Sequence, residues 1–553
     1  MRSINYKLSI IVSGILILFS CELNRLPETD LSDAGFWKNA SDFEQGVNYL
    51  YILYLPGAIA TSNYPLASDQ MSDNAMGLDL NAISNGSFLP DANFGPWDGD
   101  YTLIRNANNI LEKAEASGEL KETLTQYIAE ARFFRAWGYF ELVSRYGDVP
   151  LITKTLDIND PELYAARTPR SEVIEFIYDD LDYAADNLPD KSESLDNDAY
   201  GRITSGAAMA FKSRVALREG TWIKFHGAGG NANTHLNIAM ESALDVMQSG
   251  TYSLFNDFGT DSYEMLFKNP GQGPDNDEAI MVNRFDVDFD NNIASSQYTQ
   301  QLTRGFYAPT RSLVDAYLCT DGLPIDQSPL YQGQVNANSE FVDRDPRLDA
   351  IIVQKGEQYL VEAASTDYAP DPYQPTIASA TGYRVEKYVD VNGYFLDHII
   401  MRYGEVLLNY AEAVYELNDA ISDADLDLSI NLLRDRVGMP DLTNAFVTGN
   451  GLNMRDEIRR ERRIELAMEG ARYDDLLRWK IAETELPKAL EGVRFFNAEY
   501  VNTDVTSLVL TTDSVLVGEA ASQRSFDPSK QYLWPIPLNQ ISINQNLEQN
   551  PNW

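Results

Sequence analysis

The sequence predicts a mostly α-helical protein, built as one large domain whose paired helices carry long loop insertions. Three observations predict it. The chain has 553 residues with 44% apolar content, enough to bury a large core without help from disulfides or metals. Apolar residues recur at i, i+3, i+4 and i+7 in one stretch after another, which is the stripe of a helix packed on a core. Between these stretches lie polar segments rich in Gly, Asn and Asp, at 55–97, 220–235, 256–309 and 355–398. Loops of that length in a compact domain are uncommon unless they serve a function.

Taken in chain order, the first element is a leader. Arg2 and Lys7 precede an apolar run from Leu8 to Phe19, too short to cross a bilayer. The run stops at Ser20-Cys21, so residues 1–20 read as a signal peptide. Leu18-Phe19-Ser20-Cys21 is similar to a bacterial lipobox, in which the Cys21 thiol is acylated and becomes the mature N-terminus. Several acyl chains anchor far more firmly than one.

Helices are predicted at 40–54, 98–116, 171–187, 203–219 and 235–248, then at 310–319, 400–417, 426–437, 454–480 and 484–490. A further one ends at Tyr146-Gly147-Asp148-Val149-Pro150, where Gly followed by Pro is a stop signal. Within it Phe133, Ala136, Trp137 and Phe140 form one face, and Arg132 and Arg135 sit off it. Tyr403–Leu417 followed by Leu426–Val437 has the size of a tetratricopeptide helix pair, although no strict 34-residue period exists. Strands are minor: Val505–Leu510 and Ser514–Gly518 are expected to form a hairpin.

Charge and composition exclude some functions. Against 43 Lys and Arg stand 83 Asp and Glu, a net charge of −40, which repels the phosphate backbone a nucleic-acid binder must neutralise. After acylation only Cys319 remains of the two cysteines, so no intramolecular disulfide forms. At the end of Leu313-Val314-Asp315-Ala316-Tyr317-Leu318 that thiol is expected in the core. No HExxH, paired CxxC, Gly-x-Ser-x-Gly or phosphate-cradling Gly loop is present. A glycosidase needs only two carboxylates, and motifs do not exclude it.

Several segments together resemble the SusD/RagB family of outer-membrane lipoproteins. They include Gly35-Phe36-Trp37-Lys38-Asn39, Trp97 through Asn106-Ala107-Asn108-Asn109-Ile110-Leu111, and Ala131-Arg132-Phe133-Phe134-Arg135-Ala136. Pro309-Thr310-Arg311-Ser312-Leu313 with Asp321-Gly322 follows, then Asp345-Pro346-Arg347-Leu348. The most specific is Arg459-Arg460-Glu461-Arg462-Arg463-Ile464-Glu465-Leu466-Ala467-Met468-Glu469-Gly470, continuing to Arg478-Trp479. Trp534-Pro535-Ile536-Pro537 and Asn550-Pro551-Asn552-Trp553 close the set.

The resemblance implies four degenerate tetratricopeptide-like helix pairs and a lipid-anchored, surface-exposed protein of the outer membrane. It implies glycan binding without catalysis, with a TonB-dependent transporter of the SusC type as partner. It also implies a tether at 21–30 and a SusD-like domain at 31–553, with an N-terminal helical portion at 31–250 and a C-terminal portion at 251–553. The family often has an aromatic where Met468 stands. Two other classes remain open, a glycoside hydrolase and a peptide-capturing lipoprotein.

Sugar recognition asks for flat aromatic faces flanked by groups that match ring hydroxyls. Trp97 leads the candidates, approached by the turn-rich Asp91-Ala92-Asn93-Phe94-Gly95-Pro96, with Asp69, Asp73 and Asn74 in the same region. Trp222, Lys224 and His226 form a second group. Arg284, Tyr298, Phe306 and Tyr307 form a third. Glu461, Arg462, Glu465, Glu469 and Arg472 have the spacing of surface or inter-helix ion pairs, and Trp137 and Trp479 read as packing residues. Asp286, Asp288, Asp290 and Asn292 follow a calcium-loop spacing, weakened because Asn291 replaces the turn Gly and Gln297 the bidentate Glu. No other cofactor is expected.

Overall fold

The computed structural model of the chain describes residues 36–54, 69–92, 95–193, 199–285, 307–355, 379–390, 396–496 and 508–553, together with 498, 499 and 506. The leader, Cys21, Tyr298, Phe306 and the acidic loop 286–292 lie outside these residues.

The first half is a succession of helices: α1 (Ala40–Tyr54), α2 (Gly95–Glu115), α3 (Thr125–Tyr146), α4 (Arg170–Asn187), α5 (Ser205–His226) and α6 (Ala232–Gln248). From α2 to α6 each helix packs on the next, and α6 packs in turn on Tyr403–Asn418 of the second half. The expected stripe of α3 is buried, with Phe133 and Ala136 fully covered and Trp137 stacked on Phe211 of α5 at 4.3 Å between centroids. Arg135, off that stripe, is buried too, held by Asp180 of α4 at 2.7 and 2.8 Å.

Helix α5 corrects the expected stop at 219. Gly220 is not a breaker: a Cβ there would meet Leu236 of α6 at 2.8 Å, so the glycine allows close helix approach. The helix continues to His226 and stops at Gly227, whose left-handed φ of 65° suits a residue without a side chain. At its start Thr204 accepts a hydrogen bond from the Ala207 N–H. Most of the loop expected at 220–235 is therefore helix.

The second half mixes short elements with longer helices: α7 (Ser262–Leu266), α8 (Arg311–Ala316), α9 (Pro346–Ile351), α10 (Tyr403–Asn418), α11 (Asp423–Asp427), α12 (Ile430–Arg436), α13 (Asn444–Gly449), α14 (Met454–Glu465), α15 (Arg472–Arg478), α16 (Ala482–Glu485) and α17 (Leu538–Ile543). The helix expected at 426–437 is two pieces, and the one expected at 454–480 breaks between Leu466 and Ala471. There Met468 and Gly470 take left-handed φ of 62° and 83°, which an α-helix cannot accommodate. The helix expected at 484–490 ends at Glu485.

Among the described residues, three two-stranded antiparallel ladders join separate parts of the chain: β1 (Ala75–Met76) with β3 (Ala308–Pro309), β2 (Ala279–Asn283) with β4 (His398–Arg402), and β5 (Leu490–Arg494) with β6 (Val515–Glu519). Of the expected hairpin, the bridge Leu510–Leu516 forms, but the main partner of β6 is β5. One apolar cluster fills the helix stack, and a second packs residues of 255–318 against 348–353, 383–399 and 464–468. Cys319 is fully buried, and burial raises its thiol pKa.

Candidate functional site

Between α3, α5, β4 with the start of α10, and the 462–478 segment lies a cavity of about 570 Å³. Its wall is apolar in part, from Trp137, Phe140, Leu217, Leu477 and Trp534, and charged in part, from five arginines and five carboxylates. Four of the arginines are closely paired. Arg145 donates to Asp100 at 2.8 Å and Glu141 at 2.5 Å. Arg214 grips Glu405 at 2.6 and 2.7 Å. Arg462 bonds Asp475 at 3.0 Å, and Arg478 bonds Asp475 at 2.8 Å.

Arg218 differs. Its Nη2 donates to the Ser144 carbonyl at 2.8 Å, its nearest carboxylate is Asp474 at 3.6 Å, and its Nε and Nη1 bond nothing although they are closed to solvent. Burial pushes its pKa down to about 10, with Asp474 only partly compensating. Asp100, which pairs with Arg145, is pushed up to about 8 by burial in spite of that arginine.

Among the described residues, the structure does not gather the candidate sugar contacts into one platform. Trp97 lies in the first turn of α2, 4% exposed, with its ring against Tyr101 and Tyr146 at 5.1 and 4.9 Å. Gly95-Pro96, read as an exposing turn, opens the helix instead, where proline is at home. Trp222 is 6% exposed, stacked on His226 at 3.8 Å and flanked by the guanidinium of Arg170. His226 meets the Leu477 carbonyl at 2.8 Å, and burial lowers its pKa to about 4. Lys224 is spent on Glu416 at 2.8 Å and Asp419 at 3.0 Å. Tyr307 is buried in the second apolar cluster. Arg284 sits 5.8 Å from the Tyr200 ring.

Asp69, Asp73 and Asn74 are buried clamps. Asp69 accepts from the Gly470 N–H at 2.9 Å and from Asn74 at 3.2 Å, and burial raises its pKa to about 7. Asp73 takes Arg472 at 2.8 and 3.0 Å and Arg463 at 3.1 Å. These three residues therefore tie the segment after residue 68 to the α14–α15 connection, and none offers a free group to a sugar. Among the described residues no cluster of His, Cys, Asp and Glu is placed to hold a metal ion, and no helix is long and apolar enough to cross a membrane.

A sequence model described as the SusD family matches residues 264–553, more than half of the chain. The chain belongs to the SusD family. A second model, described as starch-binding associating with outer membrane, matches residues 29–217. Among curated relatives, a SusD-like protein of Formosa agariphila is 26% identical over 490 residues, 85% of this chain and 90% of its own. One from Bacteroides ovatus is 24% identical over 488 residues, covering 86% and 82%. Among solved structures, a SusD-like carbohydrate binding protein from Bacteroides fragilis superposes with a TM-score of 0.77 at 28% identity, covering 93% of this chain and 100% of that one. A second SusD-like protein of the same species gives 0.74 at 26%, covering 96% and 100%.

In this SusD-family chain the motif at 459–470 is a buried electrostatic keystone. Glu461 takes Arg347 at 2.6 Å and Arg434 at 2.8 Å. Glu465 takes Arg402 at 2.7 Å and Arg347 at 2.8 Å, and Arg436 besides. Glu469 takes Arg402 at 2.8 Å and Lys387 at 2.7 Å. The inter-helix reading of these charges holds and the surface reading does not, since Glu461 and Glu465 are fully buried. Met468 is 1% exposed in the second apolar cluster. Trp479 is 2% exposed, its indole N–H given to Glu412 at 2.6 Å. Of the cavity arginines, sequence reasoning missed Arg145, Arg214 and Arg218. The available signal was Arg214 and Arg218, charged at i and i+4 on a helix otherwise buried through Phe211, Val215, Leu217 and Trp222.

Proposed function

We propose that this SusD-family chain is a non-enzymatic, lipid-anchored protein at the surface of the outer membrane, which captures oligo- or polysaccharide and passes it to a TonB-dependent transporter of the SusC type. The observation that carries the reading is family membership across both halves of the helical scaffold, with a solved neighbour at 28% identity described as carbohydrate binding. The leader ending at Cys21 supports the anchor, and the name of the second family model supports the membrane.

With Trp97, Trp222 and Tyr307 committed to the core, the sugar contacts fall to Tyr298, Phe306 and Arg284. What supports this assignment is the sequence alone, which places two aromatic residues and an arginine in one polar segment; Tyr298 and Phe306 lie outside the described residues. The chemistry is stacking of an aromatic face on the C–H face of a sugar, with the guanidinium serving hydroxyls. Affinity electrophoresis of Tyr298→Ala and Phe306→Ala against the polysaccharide that the unaltered protein retains tests it. Each is expected to lose on the order of 1 kcal/mol or more of affinity with an unchanged melting temperature. Unchanged retention in both removes these rings from the site.

A further inference from the structure

We infer that Asp397 is a positioning residue for carbohydrate capture: its carboxylate sets the guanidinium of Arg284, the proposed sugar contact that lies among the described residues. The role of Arg284 rests on the carbohydrate-binding reading above; the role of Asp397 rests on geometry. Asp397 immediately precedes β4 and is 5% exposed. Its Oδ1 accepts from the Phe285 N–H at 2.8 Å, and its Oδ2 accepts from the Tyr200 hydroxyl at 2.9 Å. The Gly273 N–H donates to it as well, and its own N–H is given to the Gln272 side chain. One buried carboxylate thus gathers three segments at the end of β2.

Two of these bonds converge on Arg284. Phe285 is its neighbour in the chain, so the bond to the Phe285 N–H fixes the peptide group that follows Arg284. Tyr200 is its neighbour in space: the Arg284 Cζ lies 5.8 Å from the centre of the Tyr200 ring, and the hydroxyl of that ring is the one given to Asp397. The carboxylate also attracts the guanidinium through its charge. A sugar that meets an arginine already held in place has less order to lose on binding.

The hold depends on the charge of Asp397, because a hydrogen bond to an ionised acceptor is roughly twice as strong as a neutral one. Burial pushes its pKa up to about 6 from an ordinary 3.8, against the pull of Phe285, Tyr200 and Arg284. The carboxylate is therefore present above about pH 6 and gives way to a neutral carboxyl below it. The other groups that face it keep their charge state through that range. Burial raises the pKa of Tyr200 and of Tyr388 above the ordinary 10, a guanidinium does not deprotonate in a protein, and burial lowers the adjoining His398 to about 3, so it stays neutral.

Affinity electrophoresis at pH 5 and pH 7.5, with soluble starch, laminarin, xylan and pectin as probes, tests the coupling. Melting temperature and the hydrogen-exchange protection factor of the Phe285 amide are measured on the same samples. The unaltered protein is expected to retain its polysaccharide about fivefold more weakly at pH 5 and to lose protection at Phe285 there. Asp397→Asn keeps the shape and imitates the neutral carboxyl; it is expected to bind about fivefold more weakly at pH 7.5 and equally at both pH values. Tyr200→Phe, a milder change at a half-buried position, is expected to weaken retention with the pH dependence kept. Retention by Asp397→Asn equal to that of the unaltered protein overturns the inference. So does a loss in which the pH dependence persists, which marks a purely structural role. Arg284→Gln separates this inference from the reading beneath it: full retention counts against Arg284 as a sugar contact, whereas its loss beside an unchanged Asp397→Asn counts against this inference alone. If none of the probes is retained, equal Phe285 protection at both pH values overturns the role of Asp397.

Discussion

Replacing Glu412 by Gln tests whether the ion pairs buried in this scaffold stabilise it through their charge. Glu412 is 1% exposed. It accepts from Arg478 at 2.5 and 2.6 Å and from the Trp479 indole at 2.6 Å. Burial alone would raise its pKa, but Arg478 outweighs burial and holds it down at about 2 against an ordinary 4.5. At about 1.36 kcal/mol per unit, the charged form contributes about 3 kcal/mol to folding.

The sign follows from the direction of the shift. A carboxylate depressed in the folded state supplies stability that is fully present above about pH 4.5 and is lost as pH falls toward about 2. Glutamine keeps the shape and the acceptor for Trp479 but removes the charge, leaving Asp475 as the one carboxylate bonded to Arg478, beside the Thr221 hydroxyl. Urea denaturation followed by circular dichroism, run from pH 7 down to pH 3.5, reads the difference. The variant is expected to be about 3 kcal/mol less stable at pH 7, with the gap narrowing as the pH falls below 4.5. A gap that stays constant with pH places the loss in packing, and no gap at pH 7 refutes the electrostatic reasoning outright.

Two further substitutions separate structural roles from binding. Trp97→Ala is expected to cost about 3–5 kcal/mol of stability, as large-to-small changes in cores do, and to leave polysaccharide retention by the folded protein unchanged; retention lost without a lowered melting temperature would restore Trp97 as a sugar contact. Asp69→Asn acts with the opposite pH sign to Glu412. Burial raises its pKa to about 7, so the charged form is a burden above that pH, and the variant is expected to gain stability at pH 8 relative to pH 5. An equal effect at both pH values contradicts it.

The helix stack was legible because it follows from one local rule, the 3.6-residue apolar stripe. The element at 40–54 matches to the residue, and α2, α4 and α10 match within a few residues at each end. The errors arose where one residue type serves two purposes. The helix expected at 203–219 runs on to His226, because the missing side chain of Gly220 admits Leu236. Gly95 and Pro96 were read as a turn, yet they open a helix and carry Trp97 into the core.

The charge pattern at 459–470 was legible as ion pairs but not as buried ones. The partners Arg347, Arg402, Arg434 and Arg436 come from distant parts of the chain, and no local periodicity announces them. The same holds for Arg218, whose isolation is visible only once each neighbouring arginine has been matched to its carboxylate.

Capture of carbohydrate by this SusD-family chain is the proposal from which the binding predictions follow. Affinity electrophoresis of the purified protein against a broad panel of neutral and acidic polysaccharides, with reducing ends assayed in the same mixtures, tests it most directly. Retarded migration on at least one polysaccharide, with no release of reducing ends, is expected. Migration unchanged across the whole panel would contradict the capture of glycans, and released reducing ends would contradict its being non-enzymatic.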